Sequence, residues 1–202
     1  NDKKFSEEKI EAINEKERIR NEEALPAILE DGFIEIPIMF NDVNGELMEL
    51  KAWVHPDHYL PSNSEGFFEK FGNHYNIYVP SYKRAKKNPT AKLLTEFGVK
   101  NWFFAVDPDQ YQDYKEHWGI EHIIIRDIRF RDPSLIDLGV SIRRPNTLRG
   151  TAGIYNNLLA FSRTMGEKKY WTLDDDFIGL AMKSYKGEKT LTQGTPYDKD
   201  DY

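Results

Sequence analysis

A chain of 202 residues fits one domain, or one domain with an appendage, and its 39% hydrophobic and 13% aromatic content excludes global disorder. The formal charge of −6 argues against wholesale wrapping of nucleic acid, and the lack of cysteine excludes disulfides, thiolate zinc sites and cysteine nucleophiles. No apolar run approaches the roughly 18–20 residues of a membrane span, and no signal-peptide pattern is present.

From Ser6 to Glu23 the chain is rich in Glu, Lys and Ile, with sparse apolar positions at Ile10, Ile13 and Ile19. This predicts a mostly solvated helix; the competing reading is a helix that recruits a partner or a second copy. Pro26 is expected to interrupt it, and Asp31-Gly32 to make a turn. Two β-prone runs, Phe33 to Phe40 and Leu47 to Val54, flank Asn41-Asp42-Val43-Asn44-Gly45 and predict a hairpin. His55 to Asn73 mixes Pro, Ser, Asn and Gly with Phe67, Phe68 and Phe71, as in a loop with a short helix. Residues 1–75 are therefore expected to form an extension packed on a main unit of residues 76–202.

In that unit Ile77-Tyr78-Val79-Pro80 is a short strand, followed by a polar turn and a helix through Leu93-Leu94. Trp102 to Val106 is a second strand, Tyr111 to Trp118 a helix, and His122 to Ile125 a third strand. A helix from about Thr151 to Met165 precedes a strand over Tyr170 to Leu173. Strands alternating with helices predict an α/β fold with a mainly parallel sheet.

The last strand stops in Asp174-Asp175-Asp176. Carboxylates at the carboxyl edge of such a sheet lie where α/β folds place ligands. On extended backbone Asp174 and Asp176 would face one way and Asp175 the other. Two carboxylates on one face suit Mg2+ or Mn2+, usually shared with substrate phosphates; the plainer reading is a solvated turn or helix start. Pro80-Ser81-Tyr82-Lys83-Arg84 opens the first strand into a loop with a ring for stacking and cations for phosphate. Asp107 ends the second strand, where it is placed either to accept from a nucleobase or to serve as an ordinary turn residue before Pro108. Arg126, Arg129, Arg131, Arg143, Arg144 and Arg149 make a locally basic stretch suited to phosphate, and Gly150 permits close backbone approach. The histidines form no zinc pattern, and neither a nucleophile elbow, a P-loop nor a dinucleotide glycine fingerprint is present.

In order, these pieces resemble a nucleotide-sugar glycosyltransferase of the GT-A type. The likeness runs from about Asn76 to Ile178 and is carried by three stretches: Asn76 through Arg84, Arg149-Gly150 through Asn156-Asn157, and Tyr170 through Asp176. Within that class the chain looks most like the TET-associated glycosyltransferases of phages and bacteria, which act in DNA base hypermodification. The resemblance implies a GT-A, Rossmann-like sheet with flanking helices. It implies transfer of a sugar from a nucleoside diphosphate sugar, a uridine diphosphate sugar foremost, to a hydroxyl, with a hydroxymethylated DNA base as the acceptor candidate. It also implies Asp174 and Asp176 as ligands of Mn2+ or Mg2+, Asp176 the more direct. Donor contacts are implied for Pro80, Ser81, Tyr82, Arg84, Asp107, Arg149, Gly150, Asn156 and Asp175. The compartment implied is a bacterial or phage-infected cytosol; self-association through the N-terminal helix rests instead on the partner-recruiting reading of Ser6 to Glu23. Such enzymes usually continue well beyond this motif, whereas 26 residues follow Asp176 here, so the acceptor side is expected to be incomplete. Two alternatives stay open: a metal-dependent nucleotidyl or phosphoryl transferase, and a non-catalytic nucleotide-binding module.

Overall fold

The computed structural model describes residues 7–41, 47–127 and 151–178. In chain order these form α1 (Glu7–Glu30), β1 (Ile34–Asn41), β2 (Leu47–Val54), α2 (Phe67–Phe71), β3 (Ile77–Pro80) and α3 (Pro89–Glu96). Then come β4 (Trp102–Val106), a 3-10 turn at Pro108–Gln110, α4 (Tyr111–Trp118), β5 (Ile123–Arg126), α5 (Thr151–Thr164) and β6 (Trp171–Thr172).

The strands make one sheet in the order β1-β2-β5-β4-β3-β6. The pairs β5/β4, β4/β3 and β3/β6 are parallel, while β1/β2 and β2/β5 are antiparallel. The fold is thus α/β with a mixed, mostly parallel sheet. The hairpin expected of residues 33–54 is present, and through β2 it joins the same sheet as the later strands. Pro37, which has no N–H to donate, is accommodated because β1 has a partner on one side only.

Side-chain alternation divides the core between the two faces of the sheet. Trp102, Phe104 and Val106 of β4 join Val79, Ile123 and Ile125 on the face covered by α3, α4 and the end of α1. Phe103 and Ala105 join Tyr78 and Ile124 on the other face, beneath Ile154, Leu158 and Phe161 of α5. A strand covered on both faces reads as an unbroken apolar run, which is why Trp102 to Val106 is wholly buried.

Pro26 lies inside α1 rather than ending it. It sits on the solvent side, where water can satisfy the carbonyl it leaves without a donor, while Ile28 is fully buried two residues later. Burial of that final turn outweighs the proline penalty of about 3 kcal/mol. The helix stops at Gly32, whose φ of +91° favours glycine, and whose amide bonds the Leu29 carbonyl. Upstream, α1 is mostly exposed, as expected, and is docked along one side: buried Asn21 accepts from the Asp109 amide at 3.0 Å.

Candidate functional site

In the order the chain makes them, the parallel strands stand third-second-first-fourth across the sheet, as β5-β4-β3-β6. Strand order therefore reverses between β3 and β6. The helix after β3 covers one face and the helix before β6 covers the other, so a crevice opens at the carboxyl ends of these two strands. Ser81 to Asn88 leave β3 at that edge, and Leu173 to Ile178 leave β6 beside them.

Ser81 is the hub. Its buried hydroxyl donates to Asp175 Oδ2 at 2.8 Å and accepts from Tyr114 OH at 2.6 Å and Asn88 Nδ2 at 3.1 Å. One donor and two acceptor sites are all a hydroxyl has, so its orientation is fixed. Tyr114 OH also accepts from the Arg84 amide at 3.2 Å, and Gln110 Oε1 accepts from the Lys83 amide at 2.7 Å. Burial raises the Tyr114 phenol above its ordinary pKa, which keeps it a neutral donor. Between these ties Lys83 adopts φ 57°, a left-handed conformation that costs a non-glycine residue free energy and persists where neighbours enforce it. Tyr82 is half-buried, with the Lys83 ammonium 5.1 Å from its ring centre.

The acidic turn is held from two sides. Asn88 caps α3 by accepting from the Ala91 amide, and Pro89 follows it at the first helical position. Thr90, in the first turn of α3, donates to the Asp174 carbonyl and accepts from the Phe177 amide at 2.8 Å. This seats the carboxylates beside the amino end of α3, where the helix dipole favours negative charge. From the opposite face Tyr155 of α5 donates to Asp174 Oδ1 at 2.8 Å. Its phenol is pushed up to about 12, by burial first and then by that carboxylate.

Side-chain directions depart from strand alternation. Because β6 ends at Thr172 and residues 175–176 form a turn, Asp175 and Asp176 turn to the same guanidinium while Asp174 faces Tyr155. Arg84 Nη1 lies 2.8 Å from Asp175 Oδ1 and 3.7 Å from Asp176 Oδ2. The Asp175 side chain is 16% exposed and that of Asp176 is 69% exposed.

Of the residues singled out from sequence, Pro80, Ser81, Tyr82, Arg84, Asp174, Asp175 and Asp176 thus come together around one strand edge. Asp107 lies at the end of the neighbouring β4 but is buried against Arg126. Arg149 and Gly150 fall outside the described residues, as does the side chain of Asn156 on α5. The same holds for Arg129, Arg131, Arg143 and Arg144. The supporting residues Gln110, Tyr114 and Tyr155 carry no sequence signal; Asn88-Pro89 does, as a helix-start pattern.

Among the described residues, no group of three or more His, Cys, Asp or Glu side chains converges to hold a metal. A cation here would draw on the exposed Asp176 and on Asp174. These are hard oxygen donors suited to Mg2+ or Mn2+, which keep waters and take further ligands from substrate phosphates. Comparison with protein-family models, with curated proteins and with solved structures returned no match.

Proposed function

We propose that this protein is a metal-dependent glycosyltransferase of GT-A type. It moves a sugar from a nucleoside diphosphate sugar, a uridine diphosphate sugar foremost, to a hydroxyl acceptor, with a hydroxymethylated DNA base as the leading candidate. The observation that carries this reading is the meeting of the β3 loop with the acidic turn at the point where strand order reverses.

The chemistry asked of each group matches its surroundings. Tyr82 offers an aromatic face to a base, and Ser81 is held rigid beside it. Arg84, with its side chain 48% exposed, can turn its guanidinium to a diphosphate without leaving the carboxylates. The amino end of α3 adds a fixed positive potential at the same edge. When bound, a divalent cation supplies Lewis-acid neutralisation of the charge that develops on the leaving diphosphate. Holding donor and acceptor together makes transfer a positioned step rather than a chance encounter.

Calorimetry with Mn2+ and a panel of nucleoside diphosphates and their sugars tests the donor half. The expected result is Mn2+-dependent binding that is lost in Asp174→Ala/Asp176→Ala protein. Transfer of labelled sugar to hydroxymethylated but not unmodified DNA tests the acceptor half. Binding unchanged in the double variant, or hydrolysis of nucleotides without regard to the sugar, would count against the proposal.

A further inference from the structure

We propose that Asp175 is a positioning residue, the latch that makes the donor loop and the cation-bearing turn a single unit, and that it is neither a cation ligand nor a donor contact. The inference rests on the transferase reading for the identity of the ligands, but the latch itself is a matter of geometry.

Both oxygens of Asp175 are already committed to the loop after β3. Oδ2 accepts from Ser81 at 2.8 Å and Oδ1 from Arg84 at 2.8 Å, with the side chain 16% exposed. The neighbouring carboxylates are placed differently. Asp176 is 69% exposed and sits 3.7 Å from Arg84, at the far limit of an ion pair, while Asp174 is held by Tyr155. A cation approaching this turn therefore meets Asp176 with the least to displace. Taking up Asp175 would break two charge-assisted bonds and free the Ser81 hydroxyl on which Tyr114 and Asn88 converge.

The chain of contacts extends into the loop backbone. Asp175 fixes Ser81, Ser81 fixes the Tyr114 phenol, and that phenol receives the Arg84 amide next to the left-handed Lys83. Loss of the latch thus loosens the donor loop without removing any ligand of the cation. Arg84 is shared by Asp175 and Asp176, so charge arriving at Asp176 acts on the same guanidinium that reaches toward a diphosphate. Cation and nucleotide sites are coupled through it, and by linkage the coupling is reciprocal.

The test compares the full-length wild type with Asp175→Ala, Ser81→Ala and Asp176→Ala. Amide hydrogen exchange at Lys83 and Arg84 is measured without ligand, Mn2+ binding by electron paramagnetic resonance, and uridine diphosphate binding at saturating Mn2+. In both Asp175→Ala and Ser81→Ala, exchange at the two amides should speed up about tenfold, the equivalent of one lost hydrogen bond. Asp175→Ala should keep Mn2+ affinity close to wild type while uridine diphosphate affinity falls about tenfold. Asp176→Ala should show the reverse pattern, with Mn2+ affinity falling and loop exchange little changed. Loss of Mn2+ in Asp175→Ala as deep as in Asp176→Ala, or unaltered exchange at Lys83 and Arg84, would overturn the latch. If wild type binds neither Mn2+ nor any nucleoside diphosphate, the transferase reading falls alone, since the exchange comparison needs no ligand.

Discussion

Asp107 and Arg126 stand at the carboxyl ends of the adjacent parallel strands β4 and β5 and form an ion pair of 2.7 Å, with side chains 1% and 4% exposed. Removing one member of such a buried pair while the other keeps its charge typically costs about 3–5 kcal/mol, whereas replacing both by apolar groups is often neutral. Asp107→Ala and Arg126→Ala are each expected to lose about that much in urea unfolding, and Asp107→Leu/Arg126→Met to recover most of it. A nucleobase that reached Asp107 would have to compete with this partner. Asp107→Asn should therefore lower stability more than it lowers nucleotide affinity, and the opposite ranking would restore Asp107 to a donor-binding role.

Tyr155 leads to a different expectation. Its phenol holds Asp174 Oδ1 from across the sheet, so it sets which carboxylate oxygen remains for a cation. Outer groups that orient metal-binding carboxylates are typically worth about 10–100-fold in affinity. Tyr155→Phe should weaken Mn2+ binding by about tenfold, with little change in thermal stability, because the hydroxyl is at the surface end of a half-buried ring. Equal Mn2+ affinity in the two proteins would show that the Tyr155 bond does not orient Asp174 for a cation.

The elements that sequence reading located best are those whose pattern is set by local burial. The unbroken apolar runs at Trp102–Val106 and Ile123–Ile125 had to be covered strands, and the hairpin was legible from its turn residues. Pro26 misled because its penalty is local, whereas the burial of Ile28 that overrides it is tertiary. The acidic triplet was placed at the correct edge, but its side-chain directions were not legible. They depend on where β6 stops, and only two of its residues pair with β3. Tyr114, Gln110 and Tyr155 were invisible for a plainer reason. Each lies 19 or more residues from the group it holds, and contacts that long are set by topology.

Glu167 tests whether a buried carboxylate in this fold is structural. It lies between α5 and β6, away from the acidic turn, and is enclosed. Oε1 accepts from the Ser62 amide at 2.9 Å, the Ser62 hydroxyl at 2.8 Å and Asn76 Nδ2, and Oε2 accepts from Tyr78 OH at 2.7 Å. Tyr78 in turn lies 3.1 Å from the Tyr59 hydroxyl, and burial holds both phenols well above their ordinary pKa. Glu167→Ala would leave these donors buried without an acceptor, at about 1–3 kcal/mol for each one left unsatisfied. Calorimetric melting should register a loss of several kcal/mol with Mn2+ binding by the folded fraction unchanged. A loss within about 0.5 kcal/mol, as for a surface substitution, would show that the network is not formed.

Acid titration follows from two histidines. His122 stacks on Trp102 with ring centres 4.0 Å apart, and its Nδ1 donates to the Trp102 carbonyl at 2.9 Å. Burial lowers its pKa below the ordinary 6.5, and burial followed by the nearby His55 does the same for His58. Above 6.5 both groups are neutral in the folded and unfolded chains alike, so they contribute no pH dependence there. As pH falls through that value the unfolded chain takes up protons first, and stability declines until the folded-state values are passed. Asp31 acts in a separate and lower window. Its bonds from Lys115 and then Tyr111 depress its pKa below 3.8, so the stability it contributes is present above that value and lost only under stronger acid. Urea unfolding from pH 8 to pH 5 should therefore show stability falling below about pH 6.5, and His122→Gln should flatten part of the slope. A wild-type profile that is level across this interval would mean that neither imidazole is held in its neutral form.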